Sequence, residues 1–500
     1  MGPIVDERGL EQGGVSSSDL YKIYGKEQLA TAQQSELGVK LGILTISGIG
    51  QADDTALVTN SIKNLLFLLQ LSIEFCNKYH VKLCAEKTKL QVYFTKAMEA
   101  EVKYAKMTNP ITLNGMKVDF VDCAEHVGLA RSTLGNSVPL FTRISAHKKA
   151  LGAVLHSGMA RGHRGNPAAS LRVVQLYGAP VLLSGIAALV LSKPDETIID
   201  HHYKDIIMNI QKLLPGTPRA VIFFLAGTLP GTALLHLRQL SIFGMICRLS
   251  NNVIHQHAVN IMSSATISPK SWFLMIRNIC LQYLLPHPLS LLQYPPSQDA
   301  FKNLVKKHVV DYWERLLRAE AEPLTSLCFF KPQFMSLSKP HPIWHTAGSS
   351  PSKISMAVSQ ALMVSGRYRC EKLCSNWSQN KAGVCLISKE CVSQEEDIPH
   401  ILRFCSGLDS TREKLKKFTH RYCMTAPPII RDLATNLCST SSPFFCQFLL
   451  DCSVLPSVIT ATQREAEGED ILGHLFHLSR TWVFNLHRER LRLLGRWNMI

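Results

Sequence analysis

Acidic side chains are in short supply. The 500 residues include 38 Asp and Glu against 54 Lys and Arg, a net charge of +16. That imbalance makes a polyanion a fitting partner, because each phosphate contact releases a counterion. An anionic membrane surface would be attracted by the same charge. Charged residues of both signs amount to only 18%, against 46% hydrophobic, which excludes a disordered chain and reads as globular. A secretory signal is lacking: Met1 to Gly14 holds Asp6, Arg8 and Glu11 and no long apolar run. Without one, the fifteen cysteines imply a reducing, intracellular setting, nucleus or cytoplasm. There they are buried thiols or metal ligands rather than disulfides. A sharp basic import cluster is absent, and so is an internal repeat of fixed period. Clean membrane spans are lacking too. Ala179 to Ser192 is too short to cross a bilayer, and Pro230, His236 and Arg238 interrupt Ala220 to Met245. Both are expected to be buried helices, with no membrane partner.

What is present divides into a mixed first part and a helical remainder. Ser16 to Gln33 predicts a helix with Leu20, Ile23 and Tyr24 on one face. Ile43 to Asn60 predicts two short strands around a tight polar turn. Ile62, Leu65, Leu66, Leu69 and Ile73 repeat at helical spacing. Val81 to Phe94 and Val118 to Leu129 return to short strands. Helices are expected over Arg143 to Leu155, Ser170 to Leu191, Asp200 to Leu214 and Thr232 to Ile254. Pro286, Pro288, Pro295, Pro296, Pro332, Pro340 and Pro342 mark 264–352 as a looser connector. The last helix, Ile471 to Trp497, has Leu472, Leu475, Phe476, Trp482, Val483 and Leu486 on its apolar face. Arg488, Arg490, Arg492 and Arg496 fall on its other side, as a solvated face or a nucleic-acid track. The fold class expected is α+β.

The sharpest local feature is Gly48-Ile49-Gly50-Gln51-Ala52-Asp53-Asp54-Thr55-Ala56-Leu57-Val58. Apolar strand segments flank two adjacent carboxylates, which repel unless a cation sits between them. Mg²⁺ suits such a site, since it takes one or two carboxylates plus substrate phosphates. Nucleotidyl transfer uses ions of this kind to activate the attacking hydroxyl and steady the leaving group. A solvated Asp-Asp turn is the plainer alternative. Upstream lies Arg8-Gly9-Leu10-Glu11-Gln12-Gly13-Gly14, where glycines admit close backbone approach and Gln12 offers hydrogen bonds to a base or sugar. Downstream, Lys87 in Cys84-Ala85-Glu86-Lys87-Thr88-Lys89 follows the packed helix.

The order and spacing of these pieces resemble motifs B, C and D of a reverse-transcriptase palm, and the closest likeness is to non-LTR (LINE-type) retrotransposon polymerases. His126-Val127-Gly128-Leu129 resembles the primer-gripping hairpin that follows. Tyr177-Gly178-Ala179-Pro180-Val181-Leu182 and the helices after it resemble that family's thumb. The resemblance implies a partial palm at 1–135, a helical thumb at 136–262, a connector with helices at 263–364, a zinc knuckle at 365–410 and a helical end at 411–500. It implies Asp53 and Asp54 as Mg²⁺ ligands of a two-metal site and Lys87 as a general acid. Arg8, Gln12 and Gly13 would meet template and nucleotide, with an RNA template and a DNA primer or target as partners. Three features depart from the family. Gln51 stands where an aromatic residue is usual, and Gly14 where an acidic one is. The sequence ahead of Gln12 has no strand bearing a first catalytic aspartate. The expectation is therefore a retroelement RNA-directed DNA polymerase that is inactive alone; a non-catalytic nucleic-acid-binding zinc protein is the alternative.

Cys385-x5-Cys391-x8-His400-x4-Cys405 has ligand types and spacings suited to a closed tetrahedral Zn²⁺ site. Glu395, Glu396 and Asp397 precede the histidine, and Leu402 and Phe404 are expected to pack around it. Cys370 and Cys374 are further candidates, Cys374 as a substitute for Cys385. The alternative is a set of reduced core cysteines beside an exposed histidine. In the LINE-type family a Cys-Cys-His-Cys motif follows the thumb, usually with acidic residues before the histidine, and this stretch is similar.

Overall fold

A computed structural model describes residues 17–41, 44–51, 54–81, 83–94, 99–108, 111–113, 115–126, 128–154, 165–249, 252–264, 271–375, 382–464 and 468–496. The described chain is mostly helical with short strands, in keeping with an α+β class. It forms two compact units. One comprises 1–145, 183–195 and 238–303; the other comprises 146–182, 196–237 and 304–500.

The first unit carries the strands. Five antiparallel or parallel pairings of two strands each occur among the described residues. The hairpin expected around the aspartates is present: Gly48–Gln51 runs antiparallel to Asp54–Leu57, with Gln51 opposite Asp54. A separate hairpin, Val39–Leu41 with Leu44–Ile46, precedes it. Helix Ser17–Gln34 lies against the first strand of the Asp hairpin because the strand is glycine-rich. A Cβ on Gly50 would come within 2.9 Å of Leu29 Cδ1, and one on Gly48 within 3.2 Å of Leu29 Cδ2. Gln33 at the end of the same helix fixes the chain between hairpins, its Oε1 accepting the Ser47 N–H at 3.2 Å and its Nε2 donating to the Thr45 carbonyl. Helix Ile62–Lys78 starts at Ser61, whose hydroxyl accepts the Asn64 N–H at 3.2 Å. Its Leu69 and Ile73 pack on a small core of Ala85, Leu113 and Val118.

The second unit is helical and built around the final helix, Gly468–Leu493. Helices Pro351–Val364, Phe445–Leu450, Pro456–Arg464 and Asp409–Thr425 pack on it. Leu475, Phe476, Trp482, Val483 and Leu486 are buried, as the apolar periodicity requires. Two buried indoles are paired: the Trp482 Nε1–H donates to Thr419 Oγ1 at 2.8 Å, and the Trp344 Nε1–H to Gln211 Oε1 at 3.1 Å.

Two sequence expectations change. The 264–352 stretch is not loose. It holds helices Trp272–Gln282, Pro288–Gln293 and the 24-residue Gln298–Ala321. Pro288, Pro332 and Pro342 begin helical turns, where a missing N–H is no loss, rather than breaking them. The continuous helix expected over Ser170 to Leu191 is instead Pro167–Val173, a π turn over Val174–Gly178, Ala179–Leu183 and a 3-10 turn at Ile186–Ala188. Pro180 has no N–H to give, and the turn ahead of it widens so that the Ala179 N–H reaches the Val174 carbonyl.

Of the two apolar stretches, Ala220 to Met245 is helical on both sides of a bend, as expected, whereas Ala179 to Ser192 is helical only over Ala179–Leu183 and Ile186–Ala188. Every residue from Ala220 to Ala226 is buried. Helices Arg219–Ala226 and Gly231–Cys247 are bent by 60°, and no single helix among the described residues is long and apolar enough to cross a membrane. Gly227 makes the bend with φ +60°, and a Cβ there would lie 2.0 Å from the Lys339 carbonyl.

Candidate metal centre

Cys385, Cys391, His400 and Cys405 converge. One ligand atom from each lies within 4.8 Å of the others, and all four residues are buried. Among the described residues no second group of three or more such side chains comes together. The four come from three local structures. Cys385 sits on a short extended pairing: Val384 bridges Glu395, the Cys385 N–H donates to Gln394 O at 2.9 Å, and the Glu396 N–H to Gly383 O at 3.0 Å. Gly383 turns the chain into it with φ +71°. Cys391 ends the 3-10 turn Lys389–Cys391, started by the Ser388 hydroxyl.

His400 and Cys405 share a π turn, His400–Phe404. Its pitch is the reason the spacing works. At 3.6 residues per turn, positions five apart diverge by about 140° around an α-helix. A π turn bonds residue i to i+5 and brings them back to one side. The Cys405 N–H donates to His400 O at 2.8 Å. Asp397 starts the turn, its Oδ1 accepting the His400 N–H at 2.8 Å. Arg412, buried beneath, donates to the carbonyls of Cys405 and Ile401 and so fixes the end of the turn.

The donor set fits a metal. Cys385 Sγ and Cys405 Sγ are 3.7 Å apart. Two sulfurs about 2.3 Å from a tetrahedral ion lie about 3.8 Å from each other. His400 Nε2 is buried and has no hydrogen-bond partner, an orphaned lone pair that a cation would satisfy. Burial lowers the His400 pKa, outweighing the acidic residues beside it, and so keeps the imidazole neutral and able to ligate. The thiols compete for ionisation. Burial, then the neighbouring Cys385, push Cys405 up to about 12. Burial acts upward on Cys391 as well, but hydrogen bonds with Ser406 and the other two sulfurs bring it below the ordinary thiol value. Three thiols this close cannot all ionise without a positive charge among them, and a bound cation removes the conflict. This buried Cys₃His group could therefore hold a structural metal such as zinc.

The acidic run before His400 has three separate jobs. Glu395 pairs with Lys372 at 2.6 Å on the surface. Glu396 is fully buried and accepts Arg490 through both oxygens, at 3.0 and 2.6 Å, and the Glu371 N–H at 2.8 Å. Asp397 starts the π turn. Leu402 packs inside, as expected, but Phe404 does not: it is 57% exposed, with the Arg403 guanidinium 5.1 Å from its ring centre. Cys374 is not needed in place of Cys385, and Cys370 is a buried thiol outside the group. Of the other histidines, His236 is a satisfied core residue, 3.4 Å from Glu196 Oε1, and His255 Nε2 lies 3.3 Å from Leu292 O.

The palm-like residues stand differently. Asp54 is exposed at the start of its strand, and Lys87 is exposed in the turn that follows helix Ile62–Lys78. Arg8, Gln12, Gly13 and Asp53 lie outside the described residues. Arg412, Ser388 and Ser406 were missed in the sequence. The signal for Arg412 was its place seven residues past Cys405, at the start of a helix. No known protein family, curated protein or solved structure matches this chain.

Proposed function

We propose that the chain is part of a non-LTR retroelement RNA-directed DNA polymerase and handles nucleic acid through a zinc-held knuckle. The observation that carries the reading is the pairing of Gly48–Gln51 with Asp54–Leu57, two residues apart, in a chain that also gathers Cys385, Cys391, His400 and Cys405. Asp54 begins the second strand of this hairpin, and with its sequence neighbour Asp53 it would bind Mg²⁺ opposite substrate phosphates. Lys87 would supply a proton to the leaving group, and Arg8, Gln12 and Gly13 would meet template and nucleotide. Zinc is the metal proposed for the knuckle, because three thiolates and one imidazole at tetrahedral spacing suit it better than a harder ion.

Two adjacent carboxylates alone are a small ligand set for two Mg²⁺ ions. Asp54 belongs to no group of three ligands among the described residues. The net charge of +16 and the buried Cys₃His group favour the reading in which the chain binds nucleic acid, and it would do so without polymerising alone. Primer extension on an RNA template with Mg²⁺ or Mn²⁺ tests it. The expected result is primer–template binding without extension. Extension that Asp53→Ala abolishes would restore the enzyme reading for this chain alone, and absence of binding to RNA or primer–template at low salt would remove both.

A further inference from the structure

The arginines of the final helix do not make one outward track. Arg490 is 1% exposed and held by Glu396, and Arg496 is paired with Glu371 at 2.8 Å. The open cationic surface is on helix Asp409–Thr425 instead. Arg412, Leu415, Thr419 and Cys423 are its buried face. Lys414, Lys417 and Arg421 are exposed on the opposite side, at i, i+3 and i+7. At 1.5 Å per residue they span about 10 Å along the axis.

This helix packs on the final helix, whose Arg488 and Arg492 are also exposed. Glu489 shows how closely the two sets approach. Hydrogen bonding from Arg492 holds its carboxyl below the usual range, and the charges of Arg492, Lys414 and Arg488 add to it. The local acids are already engaged: Glu489 with Arg492 at 2.6 Å, Glu413 with Lys416 at 2.6 Å, and Asp409 with Arg412 at 2.7 Å. The cations along the outer side therefore exceed their local counter-charges.

We propose that Lys414, Lys417 and Arg421 form a phosphate-binding track for a nucleic-acid backbone, with Arg488 beside it. The inference rests on the nucleic-acid reading above and names the surface that serves it. A line of point charges along one helix suits a linear polyanion. A membrane-surface helix would need an apolar face turned outward, and here that face is buried in the protein. The track is also tied to the metal centre, because Arg412 on the same helix holds the carbonyls of Cys405 and Ile401.

The test uses the full zinc-loaded chain and a labelled oligouridine. The variant K414Q/K417Q/R421Q changes three exposed side chains, and K302Q/K306Q/K307Q removes the same charge from helix Gln298–Ala321. The track variant is expected to lose at least about tenfold in affinity, with the salt slope of log K falling by about 2, at roughly 0.7 per lost contact. The control variant is expected to stay within about threefold of the parent. Zinc content and circular dichroism should match the parent in both. Equal losses in the two variants, or an unchanged track variant, would overturn the track while leaving the nucleic-acid reading intact. A parent that does not bind RNA would overturn both, as would track-dependent binding to phosphatidylserine vesicles without binding to RNA.

Discussion

The Cys405 N–H bonds the His400 carbonyl at 2.8 Å, five residues back rather than four. That one hydrogen bond turns a spacing unsuited to an α-helix into a metal-ligand pair. If His400 is a ligand, its chemistry can be exchanged but not removed. The His400→Ala chain is expected to lose most of its zinc, and Cys405→Ala likewise, against about one zinc per chain in the parent. His400→Cys is expected to retain zinc, since four thiolates form another tetrahedral set. Metal analysis of the purified variants reads this directly. Full zinc in His400→Ala would mean that the imidazole is a core residue only.

Glu396 and Arg490 form a buried ion pair with no exposed side. Arg490 also donates to the Arg369 carbonyl at 3.1 Å and lies 5.5 Å from the centre of the Tyr368 ring. Removing one partner leaves an uncompensated charge in the core, a loss of about 3–5 kcal/mol. Glu396→Ala is therefore expected to shift urea unfolding strongly. Because Glu396 lies in the loop between Cys391 and His400, the same variant should also release zinc to a chelator faster. The double variant Glu396→Leu with Arg490→Met is expected to recover much of the stability. Single and double variants of equal stability would contradict a pair that acts as a unit.

The pair also shows where the sequence was readable and where it was not. Arg490 lies seven residues after Val483 and four after Leu486, both buried, so helical periodicity placed it on the inner face. It was read as outward because arginine is seldom buried, and the partner that allows burial is 94 residues away in sequence. The metal group was legible because its chemistry names its residues. The π turn was not, since nothing in Ile401-Leu402-Arg403-Phe404 distinguishes it from an α-helical turn. The Asp hairpin was legible from its apolar flanks and glycines. The helices of 264–352 are expected from the sequence only as parts of a connector, and their extent is not legible because a proline that starts a helix looks the same as one that breaks it.

His147 and His202 hydrogen-bond ring to ring at 2.9 Å, and His147 is fully buried. Burial, then the facing His202, lower the His147 pKa from 6.5 to about 4. His202 is lowered by its own burial and by Lys148, with Asp205 opposing. The sign follows from which state takes the proton. Below pH 6.5 the unfolded chain protonates His147 and the folded chain does not. The contribution to stability is whole above about 6.5 and is lost as the pH falls toward 4, by roughly 2–3 kcal/mol if His147 acts alone. Urea midpoints followed through Trp344 and Trp482, which are buried in the same unit, should fall over that window. Acid also loosens the metal group and protonates His487, another histidine lowered by burial to about 4, so the comparison with His147→Gln is decisive. That variant should be less stable at neutral pH yet lose less on acidification, its slope shallower by about one proton. Parallel curves for the two proteins from pH 7 to 4 would show that the histidine pair does not set the acid sensitivity.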